Sequence, residues 1–278
     1  GDYVSVGMLE IDGDTLRGHL PGPRSQAEMK RVHTMPVEAD PPKLPPGPQP
    51  AWRTRLGGLV YASPAVADGV AYIGSSGGVF QAVNVADGSL QWTYSTGKPI
   101  HGSASVAGDA VYFVCDDGAL HKLARPDGKP VWRYLLGDAE VSRIPPHPAV
   151  FDWDFAAPQP LLADGVVYVG DGHGVLHAID AQTGESRWRF ASGGRIRHGA
   201  ALSGEDVVFG SADGKVYALA RADGRERWRF DSGAPVDTTP VLHAGRILIG
   251  NRGRGLYALD AASGAEQWRL GFWGSWIE

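Results

Sequence analysis

From about residue 52 onward, apolar residues come in short runs of four to six, often alternating with polar ones, and turn residues separate the runs. Val70-Ala71-Tyr72-Ile73-Gly74, Val166-Val167-Tyr168-Val169-Gly170 and Arg246-Ile247-Leu248-Ile249-Gly250 are examples. Runs of this length and period predict β-strands rather than helices. The separators are Asp68-Gly69, Asp87-Gly88, Asp117-Gly118, Asp127-Gly128, Asp164-Gly165, Asp213-Gly214 and Asp223-Gly224, with Thr183-Gly184 and Ser263-Gly264 filling the same slot in other copies. Such pairs tolerate the positive φ that tight hairpin turns need.

The pattern repeats. Trp52, Trp92 and Trp132 are spaced by 40 residues, and so are Trp188, Trp228 and Trp268; the gap between the two sets is 56, one period plus 16. Each unit reads small-Pro-x-Val, turn, Val-x-Tyr-x-Gly, turn, apolar-Tyr-Ala-Leu-Asp, turn, x-Trp-x-apolar. Forty residues with three hairpin turns make one four-stranded antiparallel meander. A lone meander cannot bury both its faces, and stacking such sheets radially solves this. The expected fold is therefore all-β, a β-propeller of four-stranded blades; a solenoid fits three hairpin turns per repeat poorly. The tryptophan of each last strand is expected between adjacent sheets, where a large flat side chain buries the most area.

The unit, best matched at Ala62–Trp92, Pro158–Trp188 and Ala200–Trp268, resembles the pyrroloquinoline-quinone-like repeat over roughly residues 52–278. That family includes quinoprotein dehydrogenases, an outer-membrane protein assembly lipoprotein and secreted or kinase-linked sensor propellers. The resemblance implies, for the dehydrogenase branch, a quinone beside Ca²⁺ held by carboxylate and amide side chains, a Trp platform and a disulfide between adjacent cysteines. This chain has one cysteine, Cys115, and its two asparagines, Asn84 and Asn251, lie within repeat strands or turns. The resemblance therefore points to the branch without a quinone site, with no cofactor and no bound metal.

Trp92, Trp132, Trp188, Trp228 and Trp268 each close a four-strand unit, giving five complete blades. Trp52 ends a last-strand segment with no propeller strands before it, and residues 271–278 read as the start of a further blade. The expectation is a partial ring of seven or eight blades, against a six-bladed ring closed by the Trp52 segment and the C-terminal tail. Ahead of the propeller, residues 1–35 hold a hairpin at 4–20 with Asp12-Gly13 at its turn, then a helical turn or two at 25–31. Residues 36–50 contain seven prolines and read as a semi-rigid linker, leaving 51–278 for the propeller. The hairpin weakly resembles the end of an upstream β-containing domain, of which a calcineurin-like metallophosphoesterase is one candidate. Docking of this strand pair on the propeller's side is the alternative.

Composition changes this picture little. Lys+Arg is 26 against 31 Asp+Glu, a net charge of −5 that does not suggest nucleic-acid binding. No apolar run approaches the roughly 18 residues of a membrane-spanning helix. One cysteine excludes a disulfide within the chain.

Candidate chemistry sits in two places. The 16-residue insertion, roughly 139–154, is expected over one mouth of the central channel, where Arg143, His147, Asp152, Trp153 and Asp154 could meet a ligand. A proline-stiffened surface loop is the alternative. Nine residues after each tryptophan, at the expected start of the innermost strand, stand Tyr61, His101, Arg197 and Asp237, with Ala157 as the third-blade counterpart. These would form a polar arc at the channel mouth, either a small-ligand or peptide site or an ordinary wet wall. His198, beside Arg197, is expected to be structural. Cys115 aligns with Ser75 and Ser211 as a small packing residue with no histidine matched to it. Asp180 and Asp260 read as turn-holding carboxylates, and Arg187-Trp188-Arg189 and Arg227-Trp228-Arg229 as a solvated outer edge. With no complete catalytic set in view, the sequence supports an extracytoplasmic binding scaffold for a protein, peptide or small ligand. An accessory propeller of a larger enzyme and a scaffold in outer-membrane protein assembly are the alternatives.

Overall fold

The computed structural model describes residues 8–12, 15–19, 26–30, 50–137 and 157–271. The chain divides into two compact units, Gly1–Ala51 and Trp52–Glu278. The proline-rich stretch at 36–49, the insertion with Arg143, His147, Asp152, Trp153 and Asp154, and the tail at 272–278 lie outside the described residues.

In the first unit, β1 (Met8–Asp12), β2 (Thr15–His19) and β3 (Gln26–Lys30) form a three-stranded antiparallel sheet. One expectation holds here and one changes. Asp12 pairs with Thr15, which sets the β1–β2 turn where Asp12-Gly13 places it. Residues 26–30 form a strand instead of a helical turn, with Leu16 opposite Met29 and Arg17 opposite Glu28. Gln, Ala, Glu, Met and Lys all favour helix, but the free edge of β2 offers a ladder that outweighs so short a propensity signal.

In the second unit, five four-stranded antiparallel sheets follow in sequence order, as the repeat predicts. Blade I comprises β4 (Ala65–Ala67), β5 (Val70–Gly74), β6 (Val79–Asn84) and β7 (Leu90–Ser95). Blade II comprises β8 (Ser105–Ala107), β9 (Ala110–Cys115), β10 (Ala119–Ala124) and β11 (Pro130–Leu135). Blade III comprises β12 (Leu161–Ala163), β13 (Val166–Gly170), β14 (Val175–Asp180) and β15 (Ser186–Ala191). Blade IV comprises β16 (Ala201–Ser203), β17 (Asp206–Gly210), β18 (Lys215–Ala220) and β19 (Glu226–Asp231). Blade V comprises β20 (Val241–His243), β21 (Arg246–Gly250), β22 (Gly255–Asp260) and β23 (Glu266–Gly271). First strands touch first strands of neighbouring sheets (β4 with β8, β8 with β12, β16 with β20), which makes them the innermost. Among the described residues there is no helix, so none long and apolar enough to cross a membrane.

Each apolar cluster of the core joins two blades. Phe80 and Trp92 of blade I pack with Val111 and Phe113 of blade II, the two phenylalanine rings stacked at 4.1 Å. Tyr112 and Leu120 of blade II meet Val167 and Ile179 of blade III. Tyr168 and Leu176 meet Phe209 and Leu219 across the next gap, and Val216 and Trp228 meet Ile247 and Leu259 across the last. Middle-blade strands are thus covered on both faces: every residue of β9 and β13 is buried. This explains why their apolar runs read as near-continuous.

The tryptophans tie blade to blade. Indole Nε1–H donates across the gap to one carbonyl in the last turn of the next blade: Trp52 to Val85 at 2.7 Å, Trp92 to Arg125 at 2.7 Å, Trp132 to Ala181 at 3.2 Å, Trp188 to Arg221 at 2.9 Å and Trp228 to Ala261 at 3.2 Å. The ring lies on the glycine of that turn: Gly88, Gly128, Gly184, Gly224 and Gly264 have positive φ. A Cβ at any of them would come within 2.4–2.8 Å of the indole. Glycine is thus required twice, by backbone conformation and by the neighbouring ring. A bulge just before each last-strand tryptophan, as between Ala82 and Val83 opposite β7, accompanies its register. Arginine clips add to this: Arg125 donates to Tyr72 Oη at 3.2 Å, Gly108 O at 2.8 Å and Asp68 Oδ2 at 2.6 Å. Arg221 does the same toward Asp164 and Gly204. Where blade III carries Ala181 in this slot, Lys122 reaches over from blade II and donates to its carbonyl at 2.7 Å.

Trp268 is the exception, 40% exposed where Trp92 is 8%, because no further turn covers it among the described residues. Truncating Trp92 to Ala should cost about 3–5 kcal/mol, and Trp268→Ala well under half of that. Urea unfolding of the two variants checks this, and equal losses would contradict the docking role.

Candidate functional site

The meander puts the second-to-third-strand turns and the blade-to-blade connections on one face. There each connection is latched to a turn by its backbone. Ser76 N–H donates to Leu59 O, Asp116 N–H to Pro99 O, Ala212 N–H to Arg195 O and Arg252 N–H to Pro235 O, all at 2.8–3.0 Å. These bonds define equivalent slots in blades I, II, IV and V.

Tyr61, His101, Arg197 and Asp237 all lie in these connections. They do not begin the innermost strands, which start four residues later at Ala65, Ser105, Ala201 and Val241. Ala62-Ser63-Pro64, Gly102-Ser103-Ala104, His198-Gly199-Ala200 and Thr238-Thr239-Pro240 stand between them and the strands. The Tyr61 ring tilts against His101 with centroids 5.3 Å apart. His101 is buried, its Nδ1 2.9 Å from Asp116 Oδ2. Arg197 is only 3% exposed, with its guanidinium against Gly172, where a Cβ would lie 2.3 Å from Nη2. Asp237 pairs with Arg252 Nε. The arc therefore divides into Tyr61–His101–Asp116 on blades I and II and Arg197, Asp237 and Arg252 on blades III to V. The central cavity of about 420 Å³ is lined instead by innermost-strand residues such as Ala65, Ser105 and Leu161 and by the last residues of the connections, such as Gln159, Gly199 and Thr239.

A second set of residues was read only in part from the sequence, which aligned Cys115 with Ser75 and Ser211 but did not add Asp171 and Asn251. The residue after each second strand's glycine position is Ser75, Cys115, Asp171, Ser211 or Asn251, all buried. In blade II, Cys115 is not without a histidine. Its Sγ, Asp117 and His121 Nε2 fall within 4.8 Å of one another, because β10 returns His121 beside Phe113, on which it stacks. His121 Nε2 is 3.0 Å from Asp117 Oδ2, and Arg133 Nη2 is 2.8 Å from the same oxygen. Burial pushes the Cys115 thiol up to about 12. Burial alone would raise the Asp117 carboxyl, but the His121 hydrogen bond, with the His121 and Arg133 charges, holds it below 3.8. These three side chains are the group among the described residues that could hold a metal ion. A cation there would compete with Arg133 for Asp117.

Blade III has Asp171 Oδ2 at 2.9 Å from His177 Nε2, with Tyr134 Oη at 3.2 Å from Nδ1. Asp171 Oδ1 accepts the N–H groups of His173 and Val175, and the pair is nearly sealed from solvent. Blade IV has Tyr217 Oη donating to Asp213 at 2.6 Å. Blade V has Asn251 accepting from Gly255 N–H and donating to Ser232 O at 2.9 Å. One slot recurs with changing chemistry, and in each blade it holds the turn. The signal in the sequence was a Cys-x-Asp-x-x-x-His and an Asp-x₅-His falling in the same repeat position. Asp180 and Asp260 hold the last turns, accepting from backbone N–H of Gln182 and Thr183, and of Ala262 and Ser263.

The family model described as "Outer membrane protein assembly factor BamB" matches residues 49–145 and 117–270. The BamB of Yersinia pestis is 30% identical over 150 residues, covering 51% of this chain and 36% of that protein. The quinone alcohol dehydrogenase subunit of Gluconacetobacter polyoxogenes is 32% identical over 150 residues, 46% of this chain and 19% of that one. Among solved structures, BamB from Moraxella catarrhalis superposes with a TM-score of 0.67 at 19% identity, over 79% of this chain and 64% of that one. That likeness carries the fold. The chain thus matches only about a third of the Yersinia relative's length and a fifth of the dehydrogenase's.

Two outcomes follow from the blade II cluster. With its thiol near 12, Cys115 should stay unmodified by a thiol reagent at pH 8 in the folded protein and react fully in urea. Native-state labelling would contradict this. Asp117, depressed in the fold, contributes stability that is complete above about 3.8 and lost as pH falls through its lower folded value. Melting from pH 6 to pH 3 should therefore show a steeper loss for the native chain than for Asp117→Asn.

Proposed function

The chain belongs to the propeller family described as outer membrane protein assembly factor BamB, and on that premise we propose that it is a non-catalytic interaction scaffold working outside the cytoplasm, in the cell envelope. The observation that carries this reading is where the blades place their polar side chains. Asp117–His121, Asp171–His177 and Asp213–Tyr217 are committed to turns, while the connection face varies from blade to blade. A rigid sheet stack that varies only in its face loops suits partner recognition. In this reading the partner is a protein of outer-membrane protein assembly, as the relatives' name says of them. This reading places no quinone on the chain, because Cys115 has no neighbouring cysteine to form the disulfide of the dehydrogenase branch.

A second reading, a propeller attached to a larger enzyme, draws support from the dehydrogenase relatives, in which the matched stretch is 19% of the protein. It would place catalysis outside the described blades.

Cross-linking of the purified chain in an outer-membrane and periplasmic extract, followed by quantitative mass spectrometry, separates the two. The scaffold reading expects enrichment of β-barrel assembly proteins, and no alcohol oxidation after loading with pyrroloquinoline quinone and Ca²⁺. Turnover of an alcohol by the loaded chain would overturn it.

A further inference from the structure

We propose that the connection face of blades III to V carries a recognition site for the carboxylates of an acidic peptide segment. A cavity of about 410 Å³ is lined there by Gly172, Arg195, Ala212, Pro235 and Arg252. It draws on three blades, since Gly172, Ala212 and Arg252 come from the second turns of blades III, IV and V, and Arg195 and Pro235 from the connections into blades IV and V.

The space exists because of small residues. The slot filled by Asp116 in blade II and Arg252 in blade V holds Gly172 and Ala212 in the blades between. Arg197, nearly fully buried, lies against Gly172 at the edge of this cavity. Arg252 is answered by Asp237. Of the carboxylates adjoining the lining residues in sequence, Asp171 is held by His177 Nε2 at 2.9 Å, and Asp213 by Tyr217 Oη at 2.6 Å, Gly193 N–H at 2.9 Å and Lys215 Nζ at 3.7 Å.

Arg195 differs from these groups. Its backbone carbonyl latches Ala212, but its half-buried side chain makes no ion pair or hydrogen bond among the described residues. The fold does not ask for an arginine there: the equivalent latch residues are Leu59, Pro99 and Pro235. A guanidinium held partly out of water beside a second one attracts a planar anion that can accept two parallel N–H bonds, and a carboxylate fits that fork. The attraction is local, since the chain as a whole carries −5. The cavity is open and wide enough for a side chain on an extended backbone.

The inference rests on the scaffold reading and adds to it a face and a ligand charge. The test uses the purified 278-residue chain and fluorescence anisotropy of a labelled, C-terminally amidated peptide, Gly-Ser-Glu-Asp-Glu-Gly-Ser, at low and physiological salt. The acidic peptide should bind about tenfold more tightly than its Gln/Asn counterpart. Arg195→Gln should weaken it about fivefold with an unchanged melting temperature. Arg187→Gln, on the outer edge of blade III and paired with Asp180, should leave binding as it was. Equal binding of acidic and neutral peptides, an Arg195→Gln affinity equal to the native one, or an equal loss for Arg187→Gln overturns the site. Displacement of the peptide by succinate at concentrations matching the peptide's own affinity would reassign it to small dicarboxylates and overturn a peptide partner. Failure here with successful capture of assembly proteins by both the native chain and Arg195→Gln removes this site and leaves the scaffold reading standing.

Discussion

The structure depends on one contact made repeatedly: an indole laid flat on a glycine turn of the next sheet, its N–H bonded to a carbonyl three residues before that glycine. A four-stranded meander has two apolar faces and cannot keep both dry by itself. The indole covers the turn, satisfies its one polar atom and sets the distance between sheets. Glycine is indispensable at the receiving end, where a Cβ would occupy the same space as the ring. This contact explains the strictness of the 40-residue period. A residue added inside a blade would move the tryptophan away from its glycine. Added between blades, it moves neither, and that is where the one long insertion falls.

Because the interfaces constrain the sheets, variation collects where the connections cross the second turns. Comparing slots from blade to blade separates scaffold from speciality. The latch bonds recur through the backbone and are indifferent to side chains, which leaves Leu59, Pro99, Arg195 and Pro235 free to differ. The buried slot after each second strand changes from Ser to Cys to Asp to Asn and still closes a turn each time. Such pairs as Asp171–His177 resemble acid–base machinery in composition. Their burial makes them internal braces: a carboxylate and an imidazole shielded from water are stable because each completes the other's hydrogen bonding. Arg195 in the cavity of blades III to V is the opposite case, a charge placed at a surface concavity where the fold has no use for it.

The sequence by itself determined the strand pattern, the repeat, the five sheets and the place of Trp52, Trp92, Trp132, Trp188 and Trp228 between them, because all of these arise from local periodicity and from an interval repeated along the chain. It misplaced the start of the innermost strands by four residues and read 26–30 as helical, because both are settled by pairing with the neighbouring strand of a hairpin and not by local composition. It selected Tyr61, His101, Arg197 and Asp237 by alignment, yet only the tertiary structure showed that Tyr61 leans on His101 while Asp237 meets Arg252, and that both pairs lie off the wall of the central cavity. The partners Asp116 and Arg252 lie 15 residues further along the chain, one strand hairpin away, at positions where the repeat varies. The grouping of Cys115 with His121, and of Arg195 with Gly172 and Arg252, was likewise decided by three-dimensional packing. A repeat announces what is the same in every copy, whereas a site arises where neighbouring copies differ and are brought face to face.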